Sequence, residues 1–543
     1  MQRAVRFFGK NDSFYSLEEK VTGGRKKPEK PFCAAPPARR NMKKTENGAI
    51  GYRTSGSALV DINFSVASMR DMAPAEITER FARAFKENRI LAVKWLFYLR
   101  DRKEGLGERR SFRICFKYLL ENHRDYAAVL MPLIEEYGRF DDLLLYLDSE
   151  LSEKVCSYFK CRLDEDLSAM AAGKSVSLLA KWLPSPTASS PETRKKAKKT
   201  ARGLGLSISA YRKLLSTLRE YLHVTERLMS DGKWGEIRYE HVPAKANLRY
   251  DRAFYRHDEI RREQYLTEFA KNTADIHTAH LMPYEIAHRY MKDRSPWIRL
   301  PGRIDSTTEL MWKRLLVKGY DSGFDLGRVI VVADGSGSMM TCIGGALRVT
   351  ALEAAISLAV YFASGLKGAY RDKYITFSEH PALVDLGEGR SLKEKLEIAL
   401  AHSEVANTNL EAVFDLILNT AVSGQMSQEE LPEGILILSD MEFDAAFSAP
   451  VSERLMEQIA LKYKSHGYEL PRLIFWNLCS RTNTIPMLEN RRGISLISGF
   501  SQNTISMAVR EKKPYDALKE RLDGERYQAV GAAIEMLIQV DPV

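Results

Sequence analysis

The chain has 543 residues, 45% hydrophobic and 28% charged, an ordinary globular composition in a length that exceeds one core and calls for two or more domains. No apolar run approaches the roughly 20 residues of a membrane span, and the opening MQRAVRFFGKNDSFY lacks the long apolar core of a secretory signal. The net charge of +10 is uneven: residues 1–327 carry 60 Lys and Arg against 43 Asp and Glu, and residues 328–543 carry 21 against 28. A basic portion of this size is the footprint of a polyanion binder or a merely solvated surface, and charge alone does not decide between them. Six cysteines without a CxxC pair argue against a zinc ribbon and a disulfide framework, and suit a reducing cytoplasm.

Residues 1–45, with GGRKKPEKP and PPARRNMKK, read as a basic tail without fixed structure. Residues 46–326 read as an α-helical module. Apolar residues recur at helical spacing over Ala75 to Leu99, Arg110 to Leu120, Tyr126 to Tyr137 and Phe140 to Phe159. Successive amphipathic helices suggest HEAT-like repeats, although no clean period appears. Pro184 to Lys199 reads as a loop ending in a basic run, with helix resuming by Ile208. Arg194, Lys195, Lys196, Lys198 and Lys199 are therefore candidate phosphate contacts. Arg249 to Tyr265 interleaves Arg249, Arg252 and Arg256 with Tyr250, Phe254, Tyr255 and Tyr265, as an RNA-binding surface or an ordinary amphipathic helix would. Arg109, Arg110 and Arg113 form a smaller candidate at a helix start.

After Gly327 strands and helices alternate. Strands are expected at Arg328–Ala333, Tyr374–Phe377, Ala382–Leu386, Ile435–Leu438, Leu473–Trp476 and Ile494–Ile497. Helices are expected at Ala346–Leu366, Leu392–His402, Leu410–Val422 and Ser452–Tyr463. This is the pattern of a doubly wound, mostly parallel sheet over 327–510, with ligands at the strands' C-terminal edge. Residues 511–543 read as closing helices. The expected class is α plus α/β.

RVIVVADGSGS brings a strand to an abrupt end at Asp334, with Ser336 and Ser338 following in the loop. Thr408 precedes a helix, and Asp440 ends a second apolar strand in GILILSDMEFD. Five oxygen-bearing side chains from three strand-end loops could ring a divalent cation, Mg²⁺ before Ca²⁺ or Mn²⁺. DGSGSM, Thr408 and SDMEFD resemble the metal-ion-dependent adhesion site of the von Willebrand factor A family. That resemblance implies Asp334, Ser336, Ser338, Thr408 and Asp440 as metal ligands and a protein partner bound through the metal.

TENGAIGYRTSGSALVDINF, FYLRDRKEGLGERRSF, YGRFDDLL and LLAKWLPS resemble a largely uncharacterised family that joins a helical region to a von Willebrand A domain. LIFWNL and LISGFS fit the same family. Its layout is similar to that of the Ro ribonucleoprotein family, whose HEAT-like helical module binds small structured and misfolded RNAs. The resemblance implies an RNA-binding scaffold with a TROVE-like helical module. The alternative is a protein-interaction scaffold that uses the metal site without RNA.

No GKS or GKT completes a P-loop, and no GxSxG elbow surrounds Ser336 or Ser338. His277, His280 and His288 lack the HExxH spacing. The sequence points to a protein that is not an enzyme.

Overall fold

A computed structural model describes residues 41–271, 281–291, 300, 303–321, 328–344, 348–403, 408–443, 449–486, 494–500, 504 and 513–540; of these, the side chains of 318–321, 449–454 and 538–540 are not described. Residues 1–40 of the expected tail, together with His277 and His280, lie outside the described residues. Met42–Val543 forms one compact unit. No described helix is long and apolar enough to cross a membrane.

A short hairpin, β1 (Met42–Lys44) and β2 (Ile50–Tyr52), opens the described chain. Ordered pairing thus begins inside the segment read as a tail. The helices that follow are α1 (Ala58–Phe64), α2 (Pro74–Glu87), α3 (Arg89–Arg100), α4 (Arg110–Asn122), α5 (Arg124–Leu130) and α6 (Ser152–Ala171). After them come α7 (Pro191–Gly203), α8 (Ile208–Tyr221), α9 (Thr225–Ser230), α10 (Ala244–Ala270), α11 (Pro283–Met291) and α12 (Ser306–Asp321).

Four expected stretches differ: Phe140 to Phe159 is a 3₁₀ helix over Phe140–Asp148 followed by α6, and the other three differ for a local reason. Ala75 to Leu99 is two helices, because Asn88 leaves helical geometry and caps α3, its Oδ1 accepting from Leu91 N–H at 2.9 Å. Pro132 breaks the stretch Tyr126 to Tyr137 into α5 and two single turns. The basic run expected in a loop lies inside α7: Ser190 caps that helix, and Pro191 occupies its first turn. Arg194, Lys195, Lys196, Lys198 and Lys199 are helical residues.

The second region holds β3 (Val329–Asp334), α13 (Ala351–Gly365), β4 (Lys373–Phe377), β5 (Leu383–Asp385), α14 (Leu392–Ala401), α15 (Leu410–Ser423), β6 (Gly434–Ser439), α16 (Ala449–Ser465), β7 (Arg472–Asn477) and β8 (Ile494–Ser498). Their order in the sheet is β5-β4-β3-β6-β7-β8, parallel except for the antiparallel edge strand β5. All six expected strands are present. The fold is therefore helical followed by a mixed, mainly parallel α/β sheet.

Alternation along the strands divides the core. Val329, Val331, Leu436, Leu438, Ile474 and Trp476 join α13 and the helical region in one cluster. Ile330, Val332, Ile435, Ile437, Leu473 and Phe475 join α15 on the other face. The sheet is thus one wall of the helical region's own core.

The chain's two ends are exchanged between these regions. The N-terminal hairpin pairs with the sheet side, Tyr52 exchanging backbone hydrogen bonds with Ile485 at 2.9 Å each way. The closing helices α17 (Pro514–Asp523) and α18 (Gln528–Val540) pack on α3 instead, and Lys94 pairs with Asp523 at 2.8 Å.

Candidate functional site

Asp334 is the last residue of β3, and Ala333 lies opposite Leu438 in β6. That register puts Ser439 beside Asp334 and brings Asp440 out on the same edge. The α15 helix leads into β6, so its N-terminus stands at the strands' C-terminal edge, and Thr408 stands two residues before it. Three strand-end segments far apart in sequence thus meet at one edge.

Asp334 is almost wholly buried. Its Oδ1 accepts from Ser336 N–H at 2.9 Å and its Oδ2 from Ser439 Oγ at 2.6 Å. The Ser336 and Ser338 hydroxyls lie 3.0 Å apart. Asp440 is fully buried, its Oδ1 accepting from Glu442 N–H at 3.1 Å. Asp440 Oδ2 and Thr408 Oγ1 are buried without a hydrogen-bond partner among the described residues. Burial first, and then the Asp334 charge, pushes the Asp440 carboxyl up to about 7; the Glu442 amide, the Ser338 hydroxyl and Arg481 offset this only in part. The edge is short of positive charge and of donors, and every side chain able to hold a metal there offers oxygen.

The sequence reading missed three residues of this site. Ser439 orients Asp334. Glu442 is a buried staple: its carboxylate accepts from Glu46 N–H, Arg481 N–H and Thr482 N–H at 2.8–2.9 Å, tying the N-terminal hairpin to the loop after β7. Arg481 on that loop brings its guanidinium to 3.6 Å from Asp440 Oδ2 and 2.7 Å from Glu46, and also bonds the Thr341 hydroxyl. The acidic phrase SDMEFD was a signal for Glu442. Nothing local marks Arg481, which arrives through the sheet.

Among the described residues no three His, Cys, Asp or Glu gather as a metal cluster. His288 Nδ1 lies 2.7 Å from Glu353, joining α11 to α13.

The basic candidates separate into engaged and free groups. Arg110 donates to the carbonyls of Met69 and Met72 at 2.6 and 2.8 Å, closing the turn before α2. Arg109 and Arg113 pair with Asp141, and Arg113 also with Asp142. The first cluster is thus tied into the fold. Arg194 bonds the carbonyls of Ala188 and Ser189, while Lys196 and Lys199 pair with Glu192 and Asp148. Lys195, Lys198, Arg249, Arg252 and Arg256 are exposed and form no ion pair among the described residues.

On α10 the positions 249, 252 and 256 share one outward stripe, opposite buried Asn247, Asp251 and Phe254. Phe254 and Tyr265 are buried, where they flank the fully buried Arg262, itself bonded to Asn247 and Asp251 at 2.8 Å. These aromatics belong to the core and offer no stacking surface. The interleaving is amphipathic in origin: Arg249, Arg252 and Arg256 face out, while Tyr250 and Tyr255 are half-buried. Residues 181–262 carry 19 Lys and Arg against 9 Asp and Glu, whereas residues 41–180 carry 22 against 21. The basic excess of the described helical region is therefore concentrated in α7 to α10.

Residues 45–137 and 187–323 match the family described as Domain of unknown function (DUF2828), and residues 328–535 match that described as Domain of unknown function (DUF7788). An uncharacterized protein of Acanthamoeba polyphaga mimivirus is 27% identical over 522 residues, covering 89% of this chain and 87% of its own. Among solved structures, the Deinococcus radiodurans Ro (RSR) protein is similar at a TM-score of 0.34 and 14% identity, over 82% of this chain and 93% of that one. Both halves of this chain are similar to families defined by their sequences and not yet by an activity.

Proposed function

We propose that this protein is an RNA-binding scaffold and not an enzyme. The helical region, which we read as HEAT-like, holds a structured or misfolded RNA on the basic surface of α7 to α10. The observation that carries this reading is the placement of the charge: the excess gathers in residues 181–262, and on α10 it forms an exposed, unpaired stripe. Such a stripe meets phosphates and releases counterions, so affinity falls steeply with salt.

The sheet region we read as a von Willebrand A domain whose edge holds Mg²⁺ and, through it, a protein partner. In support, the donors are all hard oxygens and two of them, Thr408 Oγ1 and Asp440 Oδ2, are buried and unpartnered. A bound dication would relieve the repulsion between Asp334 and Asp440. Arg481 beside Asp440 adds a guanidinium that could take one oxygen of a partner's carboxylate.

The test is titration of the full chain, stripped of nucleic acid, against a structured RNA over a range of salt. Binding that weakens steeply with salt is expected, and replacing Arg249, Arg252 and Arg256 together by Gln should lower the log–log salt slope by about 2–3. Absent or salt-insensitive binding would overturn the RNA reading. It would leave the second one, an assembly scaffold that captures a partner in Mg²⁺ and releases it to a chelator.

A further inference from the structure

Three segments distant in sequence meet in the helical region, two of them from its near-neutral portion. The turn after α3 folds back on it, Leu106 N–H donating to Tyr98 O and Glu108 N–H to Leu99 O at 2.9 and 2.8 Å. A Cβ at Gly105 would lie 2.1 Å from Tyr98 O, so the turn requires glycine. Gly138 allows a second close approach, since a Cβ there would lie 2.8 Å from Asp142 Oδ2. The third segment is the single turn Leu179–Trp182.

Five guanidiniums gather here: Arg100, Arg102, Arg109, Arg113 and Arg139. Buried Asp142 accepts from Arg100 Nε and Arg113 Nε at 2.7 Å each and from the Arg139 backbone N–H at 3.1 Å. Asp141 serves Arg109 and Arg113, and its Oδ1 stays buried and unpartnered. Asp101 is taken by Arg526 at 2.9 Å. Arg102 is exposed and forms no ion pair among the described residues. The Arg139 guanidinium lies 4.5 Å from the centre of the Trp182 ring, its Nε buried with no hydrogen-bond partner among the described residues, and the Lys181 ammonium is 6.0 Å from the same ring.

Burial, and after it the charges of Arg100 and Arg102, pushes the Arg139 guanidinium down to about 10, with Asp141 opposing; partial desolvation and Arg100 lower Arg102 as well, although the residue is exposed and Asp142, Asp101 and Asp141 oppose the shift. Arginine does not shed its proton at neutral pH, so the fold carries this repulsion. Guanidinium forks match the oxygens of a phosphate, and a phosphate among them would supply the missing negative charge.

We infer that Arg102 and Arg139, beside Trp182 and Lys181, form a binding site for a phosphate group, supplied by a mononucleotide or by an RNA strand. The site is separate from the α10 stripe and stands without the RNA reading. Asp141 and Asp142 orient the surrounding arginines, and Arg102 is free to close on the ligand from the solvent side.

The test uses the full chain with orthophosphate, ATP and a short single-stranded RNA bearing either a 5′-phosphate or a 5′-hydroxyl, read by thermal shift and calorimetry. Orthophosphate or ATP should raise the melting temperature of the wild type. Arg102→Gln should weaken that response about tenfold, roughly one charge-assisted hydrogen bond. Arg139→Gln should weaken it at least as much where it folds, and the exposed Arg102 keeps the test valid where it does not. Preference for ATP assigns the site to nucleotides, and preference for the 5′-phosphorylated strand assigns it to RNA ends. No response of the wild type to any of the four probes, or a response undiminished in Arg102→Gln, would overturn the site. Failure of the RNA reading appears separately, as an orthophosphate response kept by a chain that binds no RNA strand.

Discussion

The two unbalanced sites of this molecule are electrostatic opposites. At the sheet edge, Asp334 and Asp440 crowd together with too few donors, while on the helices the guanidiniums of Arg100, Arg102, Arg109, Arg113 and Arg139 gather around Asp141 and Asp142. Two other buried charges of the same chain are matched by an opposite charge. Arg262 meets Asp251 at 2.8 Å with both side chains buried, and Lys395 meets Asp372. A matched buried pair is an ordinary structural device, whereas an unmatched one leaves a cost that an outside ion can remove. The sign of the imbalance names the visitor: a cation at the sheet edge, an anion on the helices.

The largest expected effect breaks the helical side of this comparison. Asp142→Ala would strip buried Arg100 of the one carboxylate it pairs with among the described residues and weaken the hold on Arg113, costing about 3–5 kcal/mol in denaturant unfolding. A loss under about 1 kcal/mol would mean that the arginines are not held by charge.

The sheet edge should respond to pH. The Asp440 carboxyl is raised in the folded state above its unfolded value of 3.8, so the folded protein binds the proton more tightly. Metal-free protein should therefore lose stability as pH rises from about 4 towards 7, on the order of a few kcal/mol. Asp440→Asn should flatten that slope, and saturating Mg²⁺ should flatten it in the wild type. Identical slopes in wild type and variant would remove Asp440 from the account.

A smaller effect separates ligand from scaffold. Thr408→Val deletes a buried hydroxyl that has no partner among the described residues, so metal-free stability should hold or rise by about 1 kcal/mol while the Mg²⁺ response weakens. The smallest effect is Arg102→Gln, an exposed change expected to stay within about 0.5 kcal/mol in stability.

Much of the sheet edge was legible in the sequence, because each strand is an uninterrupted apolar run ending in a carboxylate. VIVVAD and GILILSD give their direction, length and terminal residue without help from the rest of the chain. Ser439 hid inside the same phrase, and Arg481 was invisible because it reaches Asp440 from β7 across the sheet. The basic surface was less legible. Spacing alone could not tell the structural Arg109, Arg110 and Arg113 from the exposed Arg249, Arg252 and Arg256. Their partners, Asp141, Asp142 and the Met69 and Met72 carbonyls, are brought by other helices.

By itself the sequence determined the two-part layout, six strands in order, the oxygen-rich residues Asp334, Ser336, Ser338, Thr408 and Asp440, and the overall excess of positive charge. These are properties of short windows, set by hydrophobic period and composition. Tertiary structure alone decided which charges find partners. It exchanged the chain's ends between the two regions, buried one face of α10, and left Asp440, Arg102 and Arg139 short of counter-charge. Charge balance depends on neighbours tens or hundreds of residues away, and only the folded chain brings them together.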